Sequence, residues 1–183
     1  FRGNRFTSKY TPSRVSVIEK LRQEQLLPSI NFVFSRAGCE EAVNQCLASG
    51  LSLTSQAERS TIQNIVDDRF SGFSPDELRS LNFQSWAEAL SRGVAAHHAG
   101  LLPKFKEVVE ELFQQGLLKV VFATETLALG INMPARSVVL EKLTKWNGTT
   151  HTPVTAGEYT QLTGRAGRRG IDFEGHAITV WHR

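Results

Sequence analysis

The sequence predicts an α/β fold in which a parallel sheet is covered by helices on both faces. Short, nearly continuous apolar runs alternate with segments of helical periodicity, and such runs are typical of strands buried on both faces. The runs lie at residues 30–34, 94–97, 117–123, 137–140 and 177–181. Ligands of such sheets meet the loops that follow the carboxyl ends of the strands. The loops expected to carry chemistry are therefore 35–36, 97–103, 124–134 and 141–150.

The amino-terminal part is predicted to contain a linker and two helices. Residues 1–13 lack an apolar period and contain charges, glycine and proline, so we expect a linker or a disordered end before a domain that covers 14–183. A first helix is expected to end before Pro28, with its apolar positions at Val15, Ile18 and Leu21. A second helix over 37–47 would place Cys39 and Cys46 on one face as small core residues. Their spacing favours neither a disulfide nor a metal site.

Residues 51–92, approximately, are predicted to form a helical insert. Ser74 begins one of its helices as a capping box, with Pro75 in the first turn and Glu77 at the third position. The string DELR at 76–79 resembles an acidic Mg²⁺–ATP motif. Such a motif follows a hydrophobic strand, whereas the preceding residues RFSGFSP are typical of a turn. We therefore interpret the string as the start of a helix.

A further amphipathic helix is predicted to begin at Pro103 and to end at Gly116. Its apolar side chains recur at helical spacing, which indicates that one face packs on the core. These side chains are Phe105, Val108, Val109, Leu112 and Phe113.

Composition bounds the function only loosely. The 183 residues suit one domain, and the net charge of +3 is compatible with a nucleic-acid partner without arguing for one. No run approaches the apolar length of a membrane span, and the amino terminus lacks a signal-peptide core. We expect an intracellular domain with no membrane partner, cytoplasmic in a bacterium and nuclear or cytoplasmic in a eukaryote. The isolated domain is expected to be monomeric.

The segment YTQLTGRAGRR, residues 159–169, carries the most chemical information. Arg165 and Arg168 are three residues apart and can project to one side of a helical turn, with glycines between them. Paired guanidinium groups suit a polyphosphate. The alternative is a surface helix whose arginines pair with carboxylates or with nucleic-acid phosphates. The sequence contains no G-x-x-x-x-G-K-[ST] loop and no strand that leads into an acidic Mg²⁺ motif, so the arginines form half of a phosphate site.

Four segments in order resemble motifs IV, IVa, V and VI of the second RecA-like motor domain of superfamily 2 helicases. They are NFVFSR (31–36), HHAGLLP (97–103), ATETLALGINMPA (123–135) and QLTGRAGRRG (161–170). The segment KWNG at 145–148 is similar to the Lys-Trp-Asp-Gly signature of the superkiller-type, exosome-associated DExH-box RNA helicases. The resemblance implies a RecA-like fold of the P-loop NTPase type.

The resemblance also implies a nucleotide site that is shared with a preceding RecA-like domain of the same parent chain. That domain would hold ATP with Mg²⁺, and Arg165 and Arg168 would reach its γ-phosphate as arginine fingers. Gln161 would line the cleft, and Gly130 and Asn132 would lie in a turn that faces it. The isolated chain is expected not to hydrolyse ATP, because fingers without a phosphate cradle cannot orient a nucleophile.

The resemblance further implies that other residues hold the phosphates of a single strand, RNA in preference to DNA, during 3′→5′ movement. They are Ser35, Arg36, His98, Gly100, Thr124 and Thr126. Ser35 and Thr124 have a second interpretation, since either could cap a helix. Adjacent side chains on a strand face opposite ways, so His97 and His98 are poorly placed to share a metal ion. Trp146 could stack on a base or contact a neighbouring domain.

Two other functions are compatible with the same fold. A DNA-repair helicase of the same superfamily would carry the same motifs, although the KWNG segment favours RNA. A non-catalytic RecA-like binding module would keep the fold but would not need Gln161, Arg165 and Arg168.

Overall fold

The computed structural model describes residues 11–129, 132–146 and 148–180, and its centre is a five-stranded parallel sheet. The strands are β1 Ser29–Phe32, β2 Val94–His97, β3 Val120–Ala123, β4 Ser137–Leu140, β5 Thr144–Trp146, β6 His151–Pro153 and β7 His176–Thr179. The sheet has the order β2-β3-β1-β4-β7, while β5 and β6 form a separate antiparallel pair. The prediction of an α/β fold with a parallel sheet is confirmed.

Seven α-helices and one 3-10 helix connect the strands of the described chain. They are α1 Arg14–Gln23, α2 Arg36–Ala48, α3 Gln56–Phe70, α4 Pro75–Ser80, α5 Phe83–Ser91, α6 Pro103–Gln114, α7 Ala156–Thr163 and the 3-10 helix Glu125–Leu129. The capping box at Ser74 is confirmed. The Ser74 hydroxyl accepts from the Glu77 N–H at 3.3 Å, and the Glu77 carboxylate accepts from the Ser74 N–H at 2.7 Å.

Helices cover both faces of the sheet, as predicted. Successive strand residues point to opposite sides, so each strand contributes side chains to the cores on both faces. Ile30 and Phe32 of β1 face a core built with α3, α5, α6 and α7. Phe122 of β3 faces the other core, which contains α1 and α2. Cys39 and Cys46 lie in this second core, and burial raises the pKa of their thiols to about 12 and about 11. Both cysteines are structural rather than reactive.

The helices α3 to α5 are an integral part of the main core. Ile62, Val66 and Phe70 of α3 are buried in it together with Leu90 of α5. Phe70 also contacts a cluster of aromatic rings, with centroid separations from Phe70 of 4.9–5.4 Å: Phe73, Phe83, Trp86 and Phe105. Among the helices that the structure describes, none is long and apolar enough to span a membrane.

Some element boundaries differ from the predictions. The third strand begins at Val120 instead of Leu117, because Leu117 and Leu118 still donate their N–H groups to Leu112 at the end of α6. Residues 141–150, predicted as a loop, contain the strand β5, which pairs with β6 directly after them. The last strand ends at Thr179, and Trp181 lies outside the described residues.

Candidate functional site

The sheet order brings three of the predicted loops side by side. Motifs IVa, V and IV follow β2, β3 and β1, which are neighbours in the sheet. Backbone hydrogen bonds connect the loops where the strands end: Thr124 donates to the His97 carbonyl at 3.3 Å, and Val33 donates to the Ala123 carbonyl at 2.8 Å. The fold therefore places these separate sequence segments along one edge of the sheet.

Ser35 and Arg36 begin α2 at this edge. The Ser35 hydroxyl accepts from the Gly38 N–H at 3.2 Å, so the capping interpretation of Ser35 is confirmed. Arg36 is exposed and forms no ion pair with any described residue. Its Cδ lies 3.4 Å from the position that a Cβ on Gly100 would occupy. The structure thus brings an available cation next to motif IVa.

The two adjacent histidines contact different helices, as their alternation on a strand requires. His97 Nε2 lies 2.8 Å from Glu110 of α6, and His98 Nε2 lies 2.7 Å from Glu40 of α2. Burial lowers the pKa of His97, and the hydrogen bond to Glu110 opposes that effect. No group of three or more His, Cys, Asp or Glu side chains among the described residues could hold a metal ion.

His98 shapes the motif IVa turn from inside the protein. Its side chain is buried, and its Nδ1 accepts from the Gly100 N–H at 3.1 Å. Its Nε2 therefore carries the proton and donates to Glu40. Both ring nitrogens of His98 are hydrogen-bonded. Contact between His98 and a nucleic acid therefore stays a prediction, and it would require one of these hydrogen bonds to break. Gly100 itself is exposed.

The two threonines of motif V differ in access. Thr124 is buried, and its hydroxyl lies 2.9 Å from the hydroxyl of Thr126, which is exposed. The Thr124 carbonyl accepts from the Leu127 N–H at 3.1 Å and so begins the 3-10 helix. Thr126 is thus the more accessible hydroxyl, and Thr124 holds it in place.

Motif VI does not present its arginines on one helical turn, and that prediction is wrong. The helix α7 ends at Thr163, before either arginine. The chain then pairs with the last residue of motif V: Ala135 donates to the Arg165 carbonyl at 3.0 Å, and Gly167 donates to the Ala135 carbonyl at 2.7 Å. Gly167 has φ 89°, which ends any helical continuation.

The two arginines have different supports. Arg165 Nη2 donates to the Ala128 carbonyl at 2.7 Å. Burial lowers the pKa of Arg165, but a guanidinium remains charged in proteins. Arg168 donates through Nε and Nη2 to the two carboxylate oxygens of Asp172, at 2.8 and 2.7 Å. Arg168 therefore pairs with a carboxylate, as the alternative interpretation expected. Its role as an arginine finger stays a prediction.

Asp172 is the main residue of this site that sequence reasoning missed. Its side chain is only 2% exposed, and the hydrogen bonds from Arg168 lower its pKa to about 2. The signal available in the sequence was the spacing of four residues between Arg168 and an acid. Gly175 was also missed: a Cβ there would lie 2.4 Å from backbone atoms of Ala166 and Gly167.

The remaining predicted nucleotide residues lie near α7 or outside the described chain. Gln161 is exposed and borders a cavity of about 150 Å³. Asn132 is exposed, and Gly130 lies outside the described residues.

Lys145, the first residue of the KWNG segment, connects the hairpin to motif V and to α7. Its Nζ lies 2.5 Å from the Glu158 carboxylate and 3.6 Å from that of Glu125. The hydrogen bond from Lys145 is the largest contribution that lowers the pKa of Glu158 to about 2. Trp146 beside it is 56% exposed, with its ring 5.1 Å from that of His151.

Asp172 is expected to make folding sensitive to acid. Because its pKa is lowered from 3.8 to about 2, its contribution is fully present above pH 3.8 and is lost as the pH falls towards 2. The shift corresponds to about 2 kcal/mol. Urea unfolding of wild type and Asp172→Asn should therefore give a difference in unfolding free energy that shrinks across this window. The exposed Asp76→Asn serves as the control, and an unchanged difference would contradict the prediction.

Known proteins are similar to this chain in sequence. A family model described as "Helicase conserved C-terminal domain" matches residues 73–170. The chain is 63% identical over 171 residues to the Mycobacterium tuberculosis protein named "Probable helicase HelY", covering 93% of this chain and 19% of that protein. It is 41% identical over 166 residues to human "Superkiller complex protein 2", covering 91% of this chain and 13% of that protein.

A third relative is the Arabidopsis thaliana protein named "DExH-box ATP-dependent RNA helicase DExH15 chloroplastic". The identity is 42% over 177 residues, which cover 97% of this chain and 14% of that protein. The chain thus spans less than a fifth of the length of these three relatives. The matched region contains motifs IVa, V and VI in the order found here, and it covers more than half of the chain. The chain therefore belongs to the family of helicase conserved C-terminal domains.

Proposed function

We propose that this chain is the second motor domain of an ATP-dependent RNA helicase. The proposal rests on one observation above all, the backbone pairing of the residue that ends motif V with the turn that carries both arginines of motif VI. Ala135 exchanges hydrogen bonds with Arg165 and Gly167, while Arg165 donates to Ala128. A movement of the motif VI turn in response to the nucleotide would thereby be transmitted to the 3-10 helix that follows Thr124.

The residues of motif VI supply positive charge to a cleft shared with a preceding RecA-like domain. ATP with Mg²⁺, held mainly by that domain, would provide the phosphoanhydride bond. Arg165 donates to the Ala128 carbonyl, and Arg168 keeps its Nη1 outside the bonds to Asp172. Both guanidinium groups are partly buried, where a positive charge acts strongly on nearby phosphoryl oxygens. Gln161 would line the same cleft.

The sheet edge supplies the contacts to a single strand. Arg36, the exposed turn at Gly100 and the hydroxyl of Thr126 offer a cation, a backbone and a hydroxyl. Contacts of these kinds grip phosphates and position a strand without reading its sequence. The direction of movement is proposed to be 3′→5′.

RNA is the proposed strand. Two of the relatives cited above are a superkiller complex protein and a protein named as an RNA helicase. Because RNA and ATP occur inside cells, we also propose an intracellular location. The isolated chain is proposed to be inactive as an ATPase, since it contains no G-x-x-x-x-G-K-[ST] loop.

The test is the ATPase activity of the full-length parent protein with single-stranded RNA, single-stranded DNA or no nucleic acid. We expect strong stimulation by RNA, weaker stimulation by DNA and unwinding of a duplex with a 3′ single-stranded tail. Stimulation by DNA alone would favour a DNA-repair helicase. The absence of any stimulated hydrolysis would contradict the proposal and favour a non-catalytic RecA-like module.

A further inference from the structure

Asp172 binds Arg168, one of the two arginines predicted to act as fingers. Its side chain is almost fully buried and accepts three hydrogen bonds from Arg168, two from the guanidinium and one from the backbone N–H at 2.9 Å. Bidentate pairing of this kind fixes the plane of a guanidinium as well as its distance. The carboxylate therefore determines where Arg168 can point.

The pairing leaves part of the guanidinium available. Asp172 binds the edge formed by Nε and Nη2, and Nη1 makes no hydrogen bond to any residue within the described ranges. An arginine carries five N–H donors in a rigid fork, so donors remain at the end of the fork while its side is held. A residue held in this way loses little further freedom when it meets a phosphate.

A second arginine lies near the same carboxylate. Arg136 Nη1 is 4.0 Å from Asp172 Oδ1, and the Arg136 Nε is buried with no hydrogen-bond partner among the described residues. The charge of Arg136 therefore adds to the effect of Arg168 in favouring the ionised form of Asp172. The backbone around Arg136 is fixed in turn, because its carbonyl accepts from the His176 N–H at 3.1 Å.

We propose that Asp172 is the positioning residue that orients Arg168 towards the phosphate, and that the nearby charge of Arg136 supports the ionised Asp172. This inference rests on the proposed function, in which Arg168 meets the nucleotide. Asp172 itself is assigned no contact with substrate. It acts through the guanidinium that it holds.

The experiment is a double-mutant cycle on RNA-stimulated ATP hydrolysis by the full-length parent, with Asp172→Asn, Arg168→Ala and the pair. Asp172→Asn is expected to lower kcat by about 10²-fold, the order that follows from a misplaced catalytic group. The KM for ATP should change little. The double variant should be no slower than Arg168→Ala, because Asp172 has nothing left to position. Asp172→Glu, which keeps the charge, should be faster than Asp172→Asn.

Controls separate positioning from a structural role. Asp76→Asn removes an exposed partner of Arg79 and should leave kcat unchanged. An Asp172→Asn effect that persists in the Arg168→Ala background would show a structural role and overturn the inference. Normal activity of Asp172→Asn beside an inactive Arg168→Ala would overturn the inference alone. Full activity of Arg168→Ala would overturn the inference and the proposed function together.

Discussion

Arg168→Ala is expected to lower RNA-stimulated ATP hydrolysis by the parent protein by about 10³–10⁵-fold, the range known for arginine fingers in other nucleotide hydrolases. The physical reason is charge. Hydrolysis places negative charge on phosphoryl oxygens, and a partly buried guanidinium stabilises it where little water competes. Steady-state kinetics with saturating single-stranded RNA would measure the loss, which should fall mainly on kcat.

Arg79→Ala is the matched control for this prediction. Arg79 also pairs with an aspartate, but both side chains are largely exposed on α4, far in sequence from motif VI. Its removal should leave kcat unaltered. If Arg168→Ala behaved like Arg79→Ala, the finger assignment would be untenable. RNA affinity should be retained in both variants, which distinguishes loss of chemistry from loss of binding.

Gly175→Ala is expected to damage both stability and activity. The new Cβ would lie 2.4 Å from the Ala166 carbonyl carbon and from the Gly167 nitrogen, and neither backbone atom can turn aside as a flexible side chain could. Overpacking of this kind costs about 1–3 kcal/mol or more. The displaced segment lies between Arg165 and Arg168, so kcat should fall together with the thermal unfolding temperature.

Gly157→Ala offers the same chemical change in open space. Gly157 lies in the first turn of α7, and nothing lies within 4 Å of a Cβ placed there. Alanine in a helix is at least as favourable as glycine, so stability should be unchanged or slightly higher. Equal behaviour of the two alanine variants would disprove the steric argument for Gly175.

The sequence predicted best those features that are encoded locally. The capping box needs only Ser74, Pro75 and Glu77, and each of them acts within one turn. The buried strands were recognisable because sheet residues such as Ile30 and Phe122 face a helix on either side of the sheet. The hairpin β5–β6 was missed because its three-residue strands are exposed or half-buried and carry no apolar pattern.

Site geometry was harder to predict because distant contacts determine it. Spacing alone suggested that Arg165 and Arg168 share a helical turn, yet Ala135, some thirty residues earlier, pairs with the chain between them. Likewise, Glu40 and Glu110 fix the orientations of His98 and His97 from two helices. Sequence identified which residue types occur in the site, whereas tertiary hydrogen bonds determine where each one points.

The pairing of Ala135 with the motif VI turn has a consequence for how variation in this domain should be understood. The hydrogen bonds that connect the two motifs belong to peptide groups, and Ala135 and Ala166 contribute no polar side chain to them. Alanine replacement of side chains leaves these peptide groups intact, so it would detect the connection only at glycines such as Gly167 and Gly175. The connection is sensitive to changes of the main chain, because proline at position 135 would abolish the N–H group whose hydrogen bond the Arg165 carbonyl accepts.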